Sequence, residues 1–174
     1  MGEILFLAHR IPFPPDRGDK IRSHHVLKAL AKLAPVHVAT FADDENDAEA
    51  QRDLEALART SFVAERTKPM WRAGAEALLR GQPVSLTAFH DPAIQRYVDE
   101  TLRRRDISAI YVFSGQMGQY VPANWRGRLV IDFVDVDSAK FEAYARAGNP
   151  AMRWVNGREG RLLKAEERHL AARA

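Results

Sequence analysis

Three aspartates crowd one short stretch, Asp132-Phe133-Val134-Asp135-Val136-Asp137-Ser138, directly after an apolar run. Carboxylates gathered on a turn suit two kinds of chemistry. A pair of them can ligate a hard divalent cation, or a single one can orient or deprotonate a hydroxyl. Asp135 is the choice for the second role, because Asp132 continues the strand and Asp137 is better placed to cap the helix that follows. Ser114 and Gln116, in Ser114-Gly115-Gln116-Met117-Gly118, follow another apolar run. Ser114 has no His/Asp relay and does not stand in G-x-S-x-G, so it reads as a ligand hydrogen-bonding group and not as a nucleophile. The six histidines show no zinc spacing. His9, closing the first apolar run, is the one best placed to touch a ligand; His37, alternating with valines, reads as a packed histidine.

A third stretch could hold an anion. His9 to Ser23 carries three prolines, then Arg17, Gly18, Asp19, Lys20 and Arg22. Prolines keep residues 12–15 out of regular structure. Gly18 permits close approach of a ligand or a left-handed turn, and Asp19 is expected to cap the helix that starts there. The unpaired N–H groups of that first turn, with Lys20 and Arg22 beside them, suit a phosphate. Neither G-x-G-x-x-G nor G-x-x-x-x-G-K-[ST] is present, so this is no dinucleotide fingerprint and no P-loop.

These groups need elements to position them. Strands are expected at Ile4–Ala8, Val36–Phe41, Phe62–Ala64, Ile107–Phe113 and Leu129–Ile131, each an apolar run of strand length. Helices fall between them: one from about Asp19 with Val26, Leu30 and Leu33 at helical spacing, and one after an acidic turn at Asp43–Asp47, running to about Arg59. Another is expected over Met70–Arg80, ended by Gly81, and one from Pro92, capped by Asp91. Residues 82–90 read as a loop whose Val84, Leu86 and Phe89 fold back on the core. A short helix is expected at Ala139–Ala147, then a longer one over Met152–Ala174 that Asn156-Gly157 weakens or kinks. Alternating strands and helices imply a Rossmann-like, doubly wound, mainly parallel sheet with helices on both faces. Right-handed crossovers then bring the turns after His9, Phe113 and Ile131 to one crevice.

Composition bounds the rest. The 174 residues suit one domain, with 46% hydrophobic and 28% charged residues, as in an ordinary globule. A formal charge of only +3 argues against a nucleic-acid partner. The absence of cysteine removes disulfides, thiolate metal sites and thiol nucleophiles and fits a cytoplasmic location. The first apolar run is too short for a signal peptide, and no run reaches the roughly 20 residues that span a bilayer. Peripheral contact with the inner face of a membrane stays open, as does a homodimer through apolar surface on the crevice edge.

The stretch Pro12-Phe13-Pro14-Pro15-Asp16-Arg17-Gly18-Asp19-Lys20-Ile21-Arg22-Ser23 resembles the opening of bacterial family 4 glycosyltransferases of the GT-B fold, and more closely the sugar transferases associated with PEP-CTERM/exosortase exopolysaccharide systems. Gly81-Gln82-Pro83, Val112-Phe113-Ser114 with Gln119-Tyr120, and Asp132 to Ser138 look like the same group. So do Met152-Arg153-Trp154, Arg158 to Leu163, and Glu166. The resemblance covers essentially the whole chain. It implies the N-terminal, acceptor-side domain of a two-domain enzyme whose nucleotide-sugar-binding domain would follow, this half alone having little or no activity. It further implies retaining transfer from a nucleotide-sugar to a lipid-linked or polysaccharide acceptor, with no tightly bound cofactor and no required metal. Gly18 and Asp19 would face the donor diphosphate, although many relatives have Gly-Gly there. Asp135 would position the acceptor, with His9, Ser114, Gln116 and Asp137 as its neighbours. Two other readings remain: a non-catalytic small-ligand or protein-binding module of the same fold, and a metal-dependent transferase in which Asp135 and Asp137 form an Asp-x-Asp pair.

Overall fold

The computed structural model describes residues 2–42 and 48–174; the acidic turn expected at Asp43–Asp47 lies outside them. Five strands form one parallel sheet: β1 (Glu3–Ala8), β2 (Val36–Ala42), β3 (Thr60–Glu65), β4 (Ile107–Phe113) and β5 (Arg128–Asp132), in the order β3-β2-β1-β4-β5. This is the α/β Rossmann-like architecture expected from the alternation. β1 is covered on both faces, which is why Leu5, Phe6, Leu7 and Ala8 are all fully buried and the strand reads as an unbroken apolar run. Phe6 packs on one side with Ile4, Leu27, Val38 and Leu54, under α1 (Gly18–Ala31) and α2 (Ala48–Leu57). Leu5 and Leu7 pack on the other with Ile94, Val98, Ile110, Met117 and Tyr120.

That second face is covered by α5 (Pro92–Arg104) and by a 3₁₀ segment, Gly115–Tyr120. Asp91 caps α5 as expected, accepting from the Ala93 N–H at 2.6 Å, with Pro92 in the first turn. α3 (Met70–Arg80) ends at Gly81, whose φ of 65° is the left-handed stop that glycine takes without strain. His37 is a satisfied core histidine: it is fully buried, with its ring nitrogens 2.7 Å from Thr60 Oγ1 and 2.8 Å from Glu3 Oε2. Leu33 instead lies past the end of α1 and is 64% exposed.

Two helices differ from the sequence expectation for one reason. Residues 82–90 contain α4 (Val84–Ala88), and α6 runs over Asp137–Tyr144, starting before Ala139 and ending before Ala147. Neither has a local side-chain cap. Each start is held by a glutamate of α7 (Pro150–Ala171), which is continuous through Asn156-Gly157. The Val84 and Ser85 N–H groups donate to Glu159 at 2.8 Å each, as does the Ser85 hydroxyl. The Ser138 N–H and hydroxyl donate to Glu167 at 3.0 and 2.5 Å. A carboxylate at a helix N-terminus offsets both the orphan donors and the dipole. Here it comes from far away in sequence, so no local pattern announces it.

α7 is thus a strap that fixes the corner of the sheet where β4 and β5 end. Gly160 lets it pass close to α6, since a Cβ there would come within 3.2 Å of the Glu142 backbone nitrogen. Leu170, 1% exposed, rests where a Cβ on Gly118 of the 3₁₀ segment would stand, 2.6 Å away. Among the described residues no helix is long and apolar enough to cross a membrane.

Candidate functional site

The chain turns from β1 to β2 on one side and later returns to lay β4 on the other, so β1 and β4 flank the point where the winding reverses. Loops leaving their ends diverge and leave a crevice, the usual ligand position of such sheets. A cleft of about 380 Å³ opens there. It is lined by His9 and Arg10 after β1, Asp19 from α1, Ser114 and Gln116 after β4, Phe133 to Asp135 after β5, and Asp137 and Lys140 from α6, with Arg66 and Phe89 closing the far side. The three turns converge as expected.

The backbone is strained where it meets this cleft. Ser114 has φ 83° and ψ 131°, and Val134 has φ 66°. Positive φ is unfavourable for any side chain and most for a β-branched one. Neighbouring contacts enforce both conformations. The Ser114 N–H donates to the Asp132 carbonyl at 2.7 Å, and the Val134 N–H donates to Asp132 Oδ1 at 3.0 Å. Ser114 Oγ donates to Gln116 Oε1, whose Nε2 in turn donates to Asp137 Oδ2 at 2.6 Å. A serine, an amide and a carboxylate from two loops therefore form one chain of hydrogen bonds along the wall.

Lys140 sits between the two aspartates of Asp135-Val136-Asp137, its Nζ 3.6 Å from Asp135 and 3.3 Å from Asp137. The hydrogen bond to Asp137 raises its pKa, so it is cationic at neutral pH. Asp135 is 69% exposed and stands on the rim of the crevice, not buried within it. An ammonium group thus occupies the position between these carboxylates, and among the described residues no group of three or more His, Cys, Asp or Glu converges on one point.

On the opposite wall Asp19 does not cap α1; Arg17 precedes the helix and no side chain caps it. The Asp19 carboxylate accepts from Arg10 at 2.9 Å and Arg17 at 3.1 Å, with His9 Nε2 at 3.5 Å. Partial burial opposes its charge, but the two guanidinium groups prevail and hold its pKa down at about 2. His9 stacks on Phe113 at 6.0 Å with the rings nearly parallel, which fixes the imidazole against the end of β4.

The rest of the expected anion site is arranged differently. Gly18 begins α1 without a positive φ, and a Cβ there would meet nothing within 4 Å, so neither a left-handed turn nor crowding requires glycine. Lys20 is buried and donates to the Phe13 carbonyl at 3.1 Å, which ties down the proline turn and turns its charge away from the cleft. Arg22 pairs with Asp132 at 2.9 Å. Neither Lys20 nor Arg22 lines the cleft. Arg10, Arg66, Phe89 and Lys140 do, and only Lys140, three residues past Asp137 on one helix face, had a signal in its spacing.

A second cleft of about 300 Å³ adjoins at Arg66, with Lys68, Arg72, Glu76 and His90 among its lining. Its lysine is already matched, Lys68 donating to Glu76 at 3.0 Å and to the Thr87 carbonyl at 2.9 Å. Compared with known proteins, the chain matches no family model, no curated protein and no solved structure.

Proposed function

We propose that the chain is the acceptor-side half of a retaining, GT-B-type glycosyltransferase acting in exopolysaccharide synthesis at the inner face of the membrane. One observation carries the reading: His9, Ser114, Gln116, Asp135 and Asp137 meet in a single polar cleft at the sheet's reversal point. A carboxylate rim, a primary amide and a hydroxyl are what a sugar's vicinal hydroxyls require. On this reading Asp135 accepts a hydrogen bond from the acceptor hydroxyl. That oxygen attacks the anomeric carbon, the bond to the nucleotide diphosphate breaks, and the proton passes to the departing phosphate oxygen. Arg10 and Arg17, oriented by Asp19, and the first turn of α1 would face that diphosphate. A second domain would complete the donor pocket. The Asp-x-Asp metal reading is disfavoured by Lys140, whose ammonium group stands between the two carboxylates and offsets part of their charge.

Saturation-transfer NMR with UDP-glucose, GDP-mannose and free hexoses tests the proposal. It predicts contact through sugar protons without added metal, weakened by Asp135→Asn. Binding that requires Mn²⁺ and is lost in Asp135→Ala would move the reading to the metal-dependent transferase. Sugar protons that receive no saturation under any condition would favour a non-catalytic module.

A further inference from the structure

Arg66 lines both clefts at once. Its guanidinium carbon stands 5.3 Å from the centroid of the Phe89 ring, a cation–π contact that holds the side chain across the ridge between them. Phe89 lines the first cleft, and the next residue, His90, lines the second. The second lies over the ends of β2 and β3, at Phe41 and Glu65, on the same edge of the sheet as the first. Each is close to the lower limit, roughly 300 Å³, of sites that take a small ligand. Together they form a track with room for one sugar-sized unit on either side of the ridge.

The second cleft is chemically unlike an anion site. Among the described residues that line it, Arg66, Lys68, Arg72 and Arg80 stand with Glu65, Glu76 and Asp91, so the charges nearly cancel. Burial, with Lys68 and Arg80 nearby, lowers the pKa of His90 and leaves its imidazole neutral at pH 7. A polyanion needs a surplus of positive charge, which this lining lacks. A neutral polyhydroxyl ligand needs donors and acceptors side by side and held in place. Glu76 accepts from Lys68 at 3.0 Å and from Arg72 at 3.1 Å, and Lys68 donates again to the Thr87 carbonyl at 2.9 Å. Groups locked in this way meet a ligand with little further loss of rotamer freedom.

We infer that the acceptor is a glycan of at least two units: the unit carrying the reacting hydroxyl occupies the first cleft beside Asp135, and the unit before it occupies the second. Arg66, between them, reaches hydroxyls of both. Such an enzyme lengthens an existing glycan and does not place the first sugar on a lipid phosphate. The inference rests on the transferase reading and narrows its acceptor.

Backbone-amide NMR titration of the chain with glucose and mannose, compared with cellobiose, maltose and mannobiose, is the test. A hexose should shift the amides of Ser114, Gln116 and Asp135 alone. A matching disaccharide should add Thr67, Arg72, His90 and Asp91 on the same binding curve and bind about tenfold more tightly. Glu65→Ala with Arg80→Ala should return disaccharide affinity to the hexose level and leave hexose affinity unchanged. Both positions are exposed, and an unchanged thermal melt confirms folding. Disaccharides that bind no more tightly than hexoses and shift first-cleft amides alone overturn the inference and leave the transferase reading standing. So do second-cleft shifts with farnesyl phosphate that no disaccharide reproduces. Absence of shifts with every sugar removes the transferase reading, and this inference with it.

Discussion

Carboxylates on α7 and in the cleft are used in opposite ways. Glu159 is 3% exposed and accepts three hydrogen bonds that begin α4; Glu167 accepts two that begin α6. Glu159 is saturated by the protein's own donors, and Glu167 is engaged by two of them at a helix start. Asp135 is 69% exposed, its nearest cation is a lysine at 3.6 Å, and it follows a valine with φ 66°. The difference separates a carboxylate that holds the fold from one left available to a ligand. Burial of a charge is tolerable where its hydrogen bonds are complete, and backbone strain persists where surrounding structure enforces it. In this chain the first condition is met on α7 and the second at the cleft.

The largest effect should come from the saturated side. Glu159→Ala leaves the first N–H groups of α4 without acceptors and is expected to cost about 3 kcal/mol, or roughly 6–12 °C in Tm for a domain of this size. A thermal melt reads this directly. A loss below about 1 kcal/mol would break the comparison, by showing that α4 does not need the carboxylate.

A smaller change of opposite sign is expected on the cleft side. Ser114→Gly removes the penalty of φ 83° and should stabilise the fold by about 1 kcal/mol in urea titration, while loosening the hydrogen-bond chain through Gln116. A clear destabilisation would mean that the serine hydroxyl outweighs the strain, and the cleft wall would then belong with α7 as a structural feature.

Acid stability sharpens the contrast on the other wall. The native pKa of Asp19, at about 2, lies below its ordinary 3.8. Its stabilisation is therefore fully present above the unfolded value and fades as pH falls from about 4 toward 2. A carboxyl-carbon NMR titration of Asp19 should show a midpoint near 2, and Asp19→Asn should flatten the stability curve in that window. A midpoint near 4 would mean that Arg10 and Arg17 do not hold the carboxylate in solution.

The smallest stability effect belongs to the residue of greatest functional interest. Asp135→Asn should change stability by less than about 0.5 kcal/mol, because Asp135 is exposed and only loosely paired.

What was legible beforehand follows from the range of the interactions involved. Strand β4, helix α3 and the start of α5 match their expected limits because apolar runs, a left-handed glycine and the Asp91–Pro92 pair act within a few residues. Convergence of three turns on one crevice followed from right-handed winding. α4 was not legible, since its cap lies at Glu159, nor was the early start of α6 at Glu167. Lys20 and Arg22 misled for a related reason: a basic residue in a first helical turn suits an anion equally well on paper. In the folded chain Lys20 is bonded to the Phe13 carbonyl and Arg22 to Asp132. Arg66 completes the cleft from a distant element and left no local trace, whereas Phe89, expected to fold back on the core, does so and also closes the cleft.

Backbone-amide NMR mapping with UDP-glucose and GDP-mannose addresses the central claim most directly. If the cleft between β1 and β4 receives ligand, the amides of His9, Ser114, Gln116, Asp135 and Asp137 shift together along one binding curve. Shifts confined to Lys68, Arg72 and the second cleft, or none at saturating ligand, would contradict it.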